Sequence, residues 1–253
     1  GQWLSVEPQG PDSVPHAQLG GATHPQQLEL KSDENAGLCM NIQGLYPMSN
    51  RTKVAYLSDL AAESVAPFIA LTETHLTAEI LSAEIQITGY TLYRSDRQGG
   101  RSHGGCGVYC RDDLTVRELE KYSNNFCESQ VIEIKELDLI LVNVNRPPNC
   151  PMQLFQDTLE KVQEAIKEAS ENDKKVDKTL LVTGDYNFPF IRWPSKQIYS
   201  REEEPEKMSS EKQQAKLLLN WAEENFMEQV IQTPTRGRNI LDLVFTNTSE
   251  LVS

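Results

Sequence analysis

Along this chain, oxygen-bearing side chains stand repeatedly where an apolar run stops. Asn41 closes LCMN, Glu73 sits in LTETHL, Asp185 and Asn187 follow the run in TLLVTGDYNFPFIRWP, and Asp242 lies in NILDLVF. None of them serves packing, and an unpaired carboxylate among apolar neighbours is expensive. Carboxylate and amide oxygens suit Mg2+, which takes one or two carboxylates, keeps several waters and is completed by substrate phosphate. A further carboxylate beside such an ion can orient water, so the set suits metal-assisted hydrolysis of a phosphoester. Each residue also has a plainer use. Asp185 and Asn187 are good turn formers after a strand and a glycine, and Glu73 on its own could pair with an arginine. Three acids placed alike relative to their strands weigh against the plainer reading.

Short strands must position these groups. LCMNIQ, FIALTET, the pair SQVIEIKE and LDLILVNVN, the run ending at Asp185, and NILDLVFTN read as strands, with GYTLYRSD and a glycine-rich GGRSHGGCGVYC between them. KVAYLSDLAAESV is expected to be an amphipathic helix with Val54, Leu57, Ala61 and Val65 on one face. A second helix is expected over residues 151–172, with Phe155, Leu159, Val162 and Ile166 inward, and a third carries Leu217, Leu218, Trp221 and Phe226 after a polar loop through residue 208. Strands and helices interleave but several strands are consecutive, which predicts a mixed sheet rather than a simple doubly wound one. Open α/β sheets place ligands at the carboxyl ends of their strands, where these polar residues fall. Residues 1–36, rich in Gly, Pro and Gln and without periodicity, are expected to be a disordered or linker tail.

The chain has 253 residues, 38% hydrophobic and 24% charged, enough for one large domain plus a tail. Its five cysteines form no CxxC pair, which supports neither a disulfide framework nor a zinc site and favours a reducing compartment. No run approaches the roughly 18 apolar residues of a spanning helix, and the N-terminus lacks a signal-peptide core, so a soluble, intracellular protein without a membrane partner is expected. The net charge of −13 argues against broad electrostatic attraction to nucleic acid. Arg94, Arg97, Arg101 and Arg111 leave room for a local basic lip on an acidic body.

MNIQGL, ALTETHL, YRSDR followed by GGCGVY, LVNVNRPPN, LVTGDYNFP and NILDLVFTN resemble, in order and spacing, the endonuclease/exonuclease/phosphatase superfamily. They are most similar to the apurinic-type endonuclease domain of non-LTR retrotransposons, and the resemblance covers about residues 37–253. It implies a four-layered α/β sandwich, with two mixed β-sheets face to face and helices outside. It also implies Mg2+-dependent (or Mn2+-dependent) nicking of DNA, in the nucleus, leaving the 3′-hydroxyl that primes reverse transcription. By position, Glu73 resembles the principal metal ligand with Asn41 beside it, and Asp185 the residue that orients and deprotonates water. Asn187 resembles a donor to the phosphate, and Asp242 the carboxylate of the R-x-D motif. Thr235 and Arg236 fall in the loop that touches the DNA backbone in such enzymes, although a structural use is the better expectation for both.

Two departures from the family pattern stand out. Asn145 occupies the place of a tyrosine whose phenol reaches the scissile phosphate, and asparagine is shorter. The family's terminal Asp-His pair has no counterpart, since the last histidine is His103. His75, beside the Glu73 motif, is expected on the helix-side surface. These departures predict a domain truncated at its C-terminus, lacking the terminal strand and open at a sheet edge, with weak or absent activity. Two alternatives remain at this point: another phosphoesterase of the superfamily, or a non-catalytic domain that keeps the fold.

Overall fold

The computed structural model describes residues 26–29, 36–45, 52–99, 103–172, 178–199 and 207–248. Arg101, residues 200–206 of the polar loop, and residues 1–25 and 30–35 of the sequence-predicted tail lie outside the described residues.

The first sheet is built from β1 (Gln26–Glu29), β2 (Ala36–Asn41), β3 (Phe68–Thr72), β4 (Tyr90–Ser95) and β5 (Cys106–Arg111), in the order β1-β2-β3-β5-β4. The second contains β6 (Val116–Ser123), β7 (Glu128–Ile134), β8 (Leu139–Asn145), β9 (Thr179–Asp185), β12 (Glu228–Gln229) and β13 (Asp242–Thr246), in the order β12-β13-β9-β8-β7-β6. A hairpin of β10 (Ile191–Arg192) and β11 (Gln197–Ile198) lies between β9 and the last helix in the chain. Both large sheets are mixed: β2 and β3 run parallel, as do β8 and β9, while the other pairings are antiparallel.

Period-two alternation assigns the layers. On the first sheet Cys39, Phe68, Ala70 and Val108 turn inward and meet Ile132, Ile134, Leu141, Leu181 and Val244 of the second. Their neighbours Leu38, Met40, Ile69, Leu71 and Tyr109 face the other way, onto Leu57 and Ala61 of helix α1 (Thr52–Ser64). The outer face of the second sheet, with Val131, Ile140, Val142, Val182 and Phe245, is covered by α2 (Met152–Asn172) and α3 (Lys207–Glu224). The result is the four-layered α/β sandwich. With both faces covered, central strands read as unbroken apolar runs.

Several elements depart from expectation. Gln26–Glu29, placed in the tail by composition, form β1 antiparallel to β2. β5 hides in the glycine-rich stretch, where Gly107 passes close to β4; a Cβ there would meet Tyr93 O and Leu92 Cδ1 at 3.2 Å. β6 is an edge strand with a half-exposed, charged sequence that gives no apolar signal. Val65 and Phe226 leave the apolar faces assigned to them. Both stand just past a helix end with positive φ and are exposed, because the chain must reverse there into the next strand.

Candidate active site

The polar residues at the strand ends converge. Glu128 of β7 pairs in register with Asn145 of β8, Asn145 with Asp185 of β9, and Asp185 with Asp242 of β13. Register partners share a face of the sheet, so these residues make a polar row across four strands. The first sheet brings Asn41 from the end of β2 and Glu73 from the residue after β3. Asn41 Nδ2 crosses the sandwich and donates to Asp185 Oδ2 at 2.8 Å.

Asp185, Asp242 and Glu73 carry the chemistry. Asp185 is wholly buried, Asp242 nearly so, and the Glu73 side chain is a quarter exposed. Asp185 Oδ1 and both carboxylate oxygens of Asp242 accept no well-formed hydrogen bond among the described residues. Arg236 reaches in from the loop before β13, with Nη2 3.3 Å from Asp185 Oδ2 and 3.9 Å from Glu73 Oε1. Burial, and after it the Asp242 carboxylate, pushes Asp185 up to about 8 against the pull of Arg236. Burial raises Asp242 as well, against the nearby Thr235 hydroxyl and Arg236.

The backbone holds this arrangement under strain. Glu73, His75 and Asn187 all have positive φ, which non-glycine residues adopt at an energetic cost and which clusters at functional sites. Gly184 answers why the run before Asp185 ends in glycine: a Cβ there would lie 1.9 Å from Val144 O of the neighbouring strand. Thr235 Oγ1 accepts the backbone N–H groups of Leu241 and Asp242, fixing the entry to β13.

Other predicted residues have partners of their own. Asn187 is buried and its Nδ2 donates to Arg146 O at 2.9 Å, so one amide hydrogen is already committed to the loop. Asn145 Nδ2 donates to Glu128 Oε2 at 2.8 Å, which places the amide in a network rather than toward solvent. Arg97 holds the same Glu128 through two hydrogen bonds, at 2.5 and 3.0 Å, and Gly105 N–H donates to it. Glu128 was invisible as a site neighbour in the sequence; its only signal was an acid opening an apolar strand. His75 Nε2 lies 3.9 Å from Glu73 Oε2 and its ring 4.9 Å from that of His103. Arg236, for which a structural use was the better expectation, also faces the carboxylates. The basic lip does not stand free: Arg94 is tied to Asp96, Arg97 to Glu128 and Arg111 to Asp113.

The donor set fits a hard divalent cation in its chemistry, with a carboxylate, an amide and buried carboxylate oxygens lacking partners. Among the described residues no three or more His, Cys, Asp or Glu side chains are placed to hold a metal ion together, so a cation here would rest on one or two carboxylates, an amide and water. An open site of few carboxylates is the arrangement Mg2+ accepts.

A pH prediction follows from Asp185. Its folded-state value lies above the ordinary 3.8, so the folded protein binds the extra proton between those limits. The stability this contributes is present below pH 3.8 and is lost as pH rises through about 8. Asp185→Asn removes the term. In chelator, the melting temperature of the wild type relative to Asp185→Asn is expected to fall steadily from pH 4 to 9; a difference that rises with pH would contradict the assignment.

The chain is thus a two-sheet α/β sandwich with acidic and amide side chains gathered at its strand ends. The chain belongs to the Endonuclease/Exonuclease/phosphatase family, whose model matches residues 38–253. Its fold is similar to the AP endonuclease LMAP from Leishmania major, at 12% identity and a TM-score of 0.55, covering 83% of this chain and 78% of that one. The endonuclease domain of TRAS1, a telomere-specific non-LTR retrotransposon, aligns at 18% identity and a TM-score of 0.49, over 82% of each chain. The human Nocturnin catalytic domain with bound sulfate aligns at 10% identity and 0.49, over 77% of this chain and 74% of that one. No curated protein matches the sequence. Among the described residues no helix is long and apolar enough to cross a membrane.

Proposed function

We propose that the chain is a Mg2+-dependent phosphodiesterase that nicks DNA, the retroelement type of endonuclease. The observation that carries this reading is the pair of adjacent buried carboxylates, Asp185 and Asp242, with unpartnered oxygens opposite the quarter-exposed Glu73. Buried carboxylate oxygens without partners are tolerated where a ligand satisfies them.

Glu73 and the Asn41 amide oxygen would hold the cation, with Asp242 behind them. Bound there, Mg2+ supplies Lewis-acid stabilisation of charge on the phosphate oxygens. Asp185 orients water and takes its proton; its raised proton affinity suits a general base working near neutral pH. Asn41 keeps Asp185 in place through the hydrogen bond to Oδ2. Asn187, whose amide has two hydrogens and spends one on Arg146 O, turns the other to a phosphate oxygen. Asn145 acts as a positioning residue, linking Asp185's strand to the Glu128–Arg97 pair. The domain expected over residues 37–253 also takes in β1 (Gln26–Glu29), which pairs with β2.

Phosphatases share the family name, so substrate choice is the test. With Mg2+, supercoiled plasmid is expected to be nicked to 3′-hydroxyl ends at protein concentrations that release no phosphate from a nucleoside monophosphate or an inositol phosphate. Preferential phosphate release from the monoesters would overturn the DNA reading and favour a phosphatase.

A further inference from the structure

Arg236 is held more loosely than Arg94 and Arg97, which also stand beside carboxylates. Arg94 grips Asp96 through Nε and Nη2 at 2.9 and 2.6 Å, and Arg97 grips Glu128 at 2.5 and 3.0 Å. Both are two-point pairs of the strong kind. Arg236 instead offers only Nη2, at 3.3 Å to Asp185 and 3.9 Å to Glu73, and its buried Nε has no hydrogen-bond partner. Its backbone is nonetheless fixed. Arg236 and Asn239 form a bridge in both directions around Gly237, at positive φ, and Thr235 anchors the loop to β13. A rigid base thus carries a loosely held, third-exposed side chain into a nest of three carboxylates.

Resting on the phosphodiesterase reading above, we propose that Arg236 is a displaceable stand-in for the metal. It faces Glu73 and donates to Asp185 when no divalent cation is bound, gives way when one enters, and is then released toward the substrate phosphate. The physics requires competition, because a guanidinium at 3.3 Å from Asp185 and a divalent cation on Glu73 repel each other across a poorly solvated gap. Released, the planar fork matches two phosphate oxygens, and the ion's own charge draws the phosphate to the same place.

Mn2+ affinity measured from the electron paramagnetic resonance signal of the free ion tests this without reference to turnover. Removing a unit positive charge a few ångströms from the site, as in Arg236→Met, is expected to tighten Mn2+ binding on the order of tenfold or more at low salt. Arg236→Lys, which keeps the charge, is expected to bind close to the wild type. Metal-free Arg236→Met should melt below the wild type, with the gap closing as Mn2+ is added. With Mn2+ saturating, the same variant should show a raised KM for plasmid nicking and a shallower dependence on salt. Mn2+ binding that is unchanged or weakened in Arg236→Met would overturn the stand-in role. Glu73→Gln separates the two levels: if wild-type Mn2+ binding does not depend on Glu73, the reading of the site itself fails. If it does depend on Glu73 but ignores Arg236, only this inference fails.

Discussion

Asp185→Ala is expected to lower Mg2+-dependent nicking by on the order of 10²–10⁴-fold, the range by which a positioned general base accelerates proton transfer. The effect should appear in kcat, because Asp185 is wholly buried behind Asn41 and Arg236 and has little access to bound DNA. The fold should survive, since the substitution removes a carboxyl that burial disfavours in its charged form. A melting temperature in chelator at pH 8 equal to or above the wild type's, measured beside the rate, would attribute the loss to chemistry. Asp242 is adjacent but sits on the next strand, clamped by Thr235, so it does not replace Asp185. A variant that keeps more than a tenth of the wild-type rate would show that water is activated elsewhere.

Gly184→Ala is the second large effect, and it acts on the fold. The added Cβ would fall 1.9 Å from Val144 O, a backbone atom of the neighbouring parallel strand that cannot step aside, at a backbone angle few side chains adopt. Overpacking and backbone strain together predict a loss on the order of 3 kcal/mol or more. Chemical denaturation should show the midpoint falling, and nicking should fall with it because Asp185 is the next residue. Little change in stability would mean that the β8–β9 spacing relaxes easily.

Much of the site was legible because the sandwich covers both faces of its central strands. Runs such as FIALT and TLLVT therefore stand out, and the polar residues that end them mark one edge of the molecule. What was hidden depends on register and on distant loops. Nothing in the sequence says that Asp185 faces Asp242, or that Glu128, far from both Asn145 and Arg97 along the chain, joins them. Asn145 stands by position where the family has a tyrosine, and its hydrogen bond to Glu128 could not be read from the sequence because that pairing is fixed only when β7 and β8 align. The approach of His75 to Glu73, both at positive φ, was likewise not legible from the sequence. Arg236 and its loop read as ordinary punctuation until the turn brought the guanidinium onto the carboxylates. Val65 and Phe226 show the opposite error, since helical periodicity was extended past a chain reversal.

The central claim is that Glu73, Asp185 and Asp242 form one metal-dependent phosphodiester-hydrolysing site, and conversion of supercoiled plasmid to nicked circle tests it most directly. The wild-type chain in Mg2+ is expected to nick slowly, given asparagine at position 145. Chelator should stop the reaction, and Glu73→Gln should reduce it to the chelated background at the same Mg2+ concentration. Nicking that persists in chelator, or that proceeds equally in Glu73→Gln, would contradict the account.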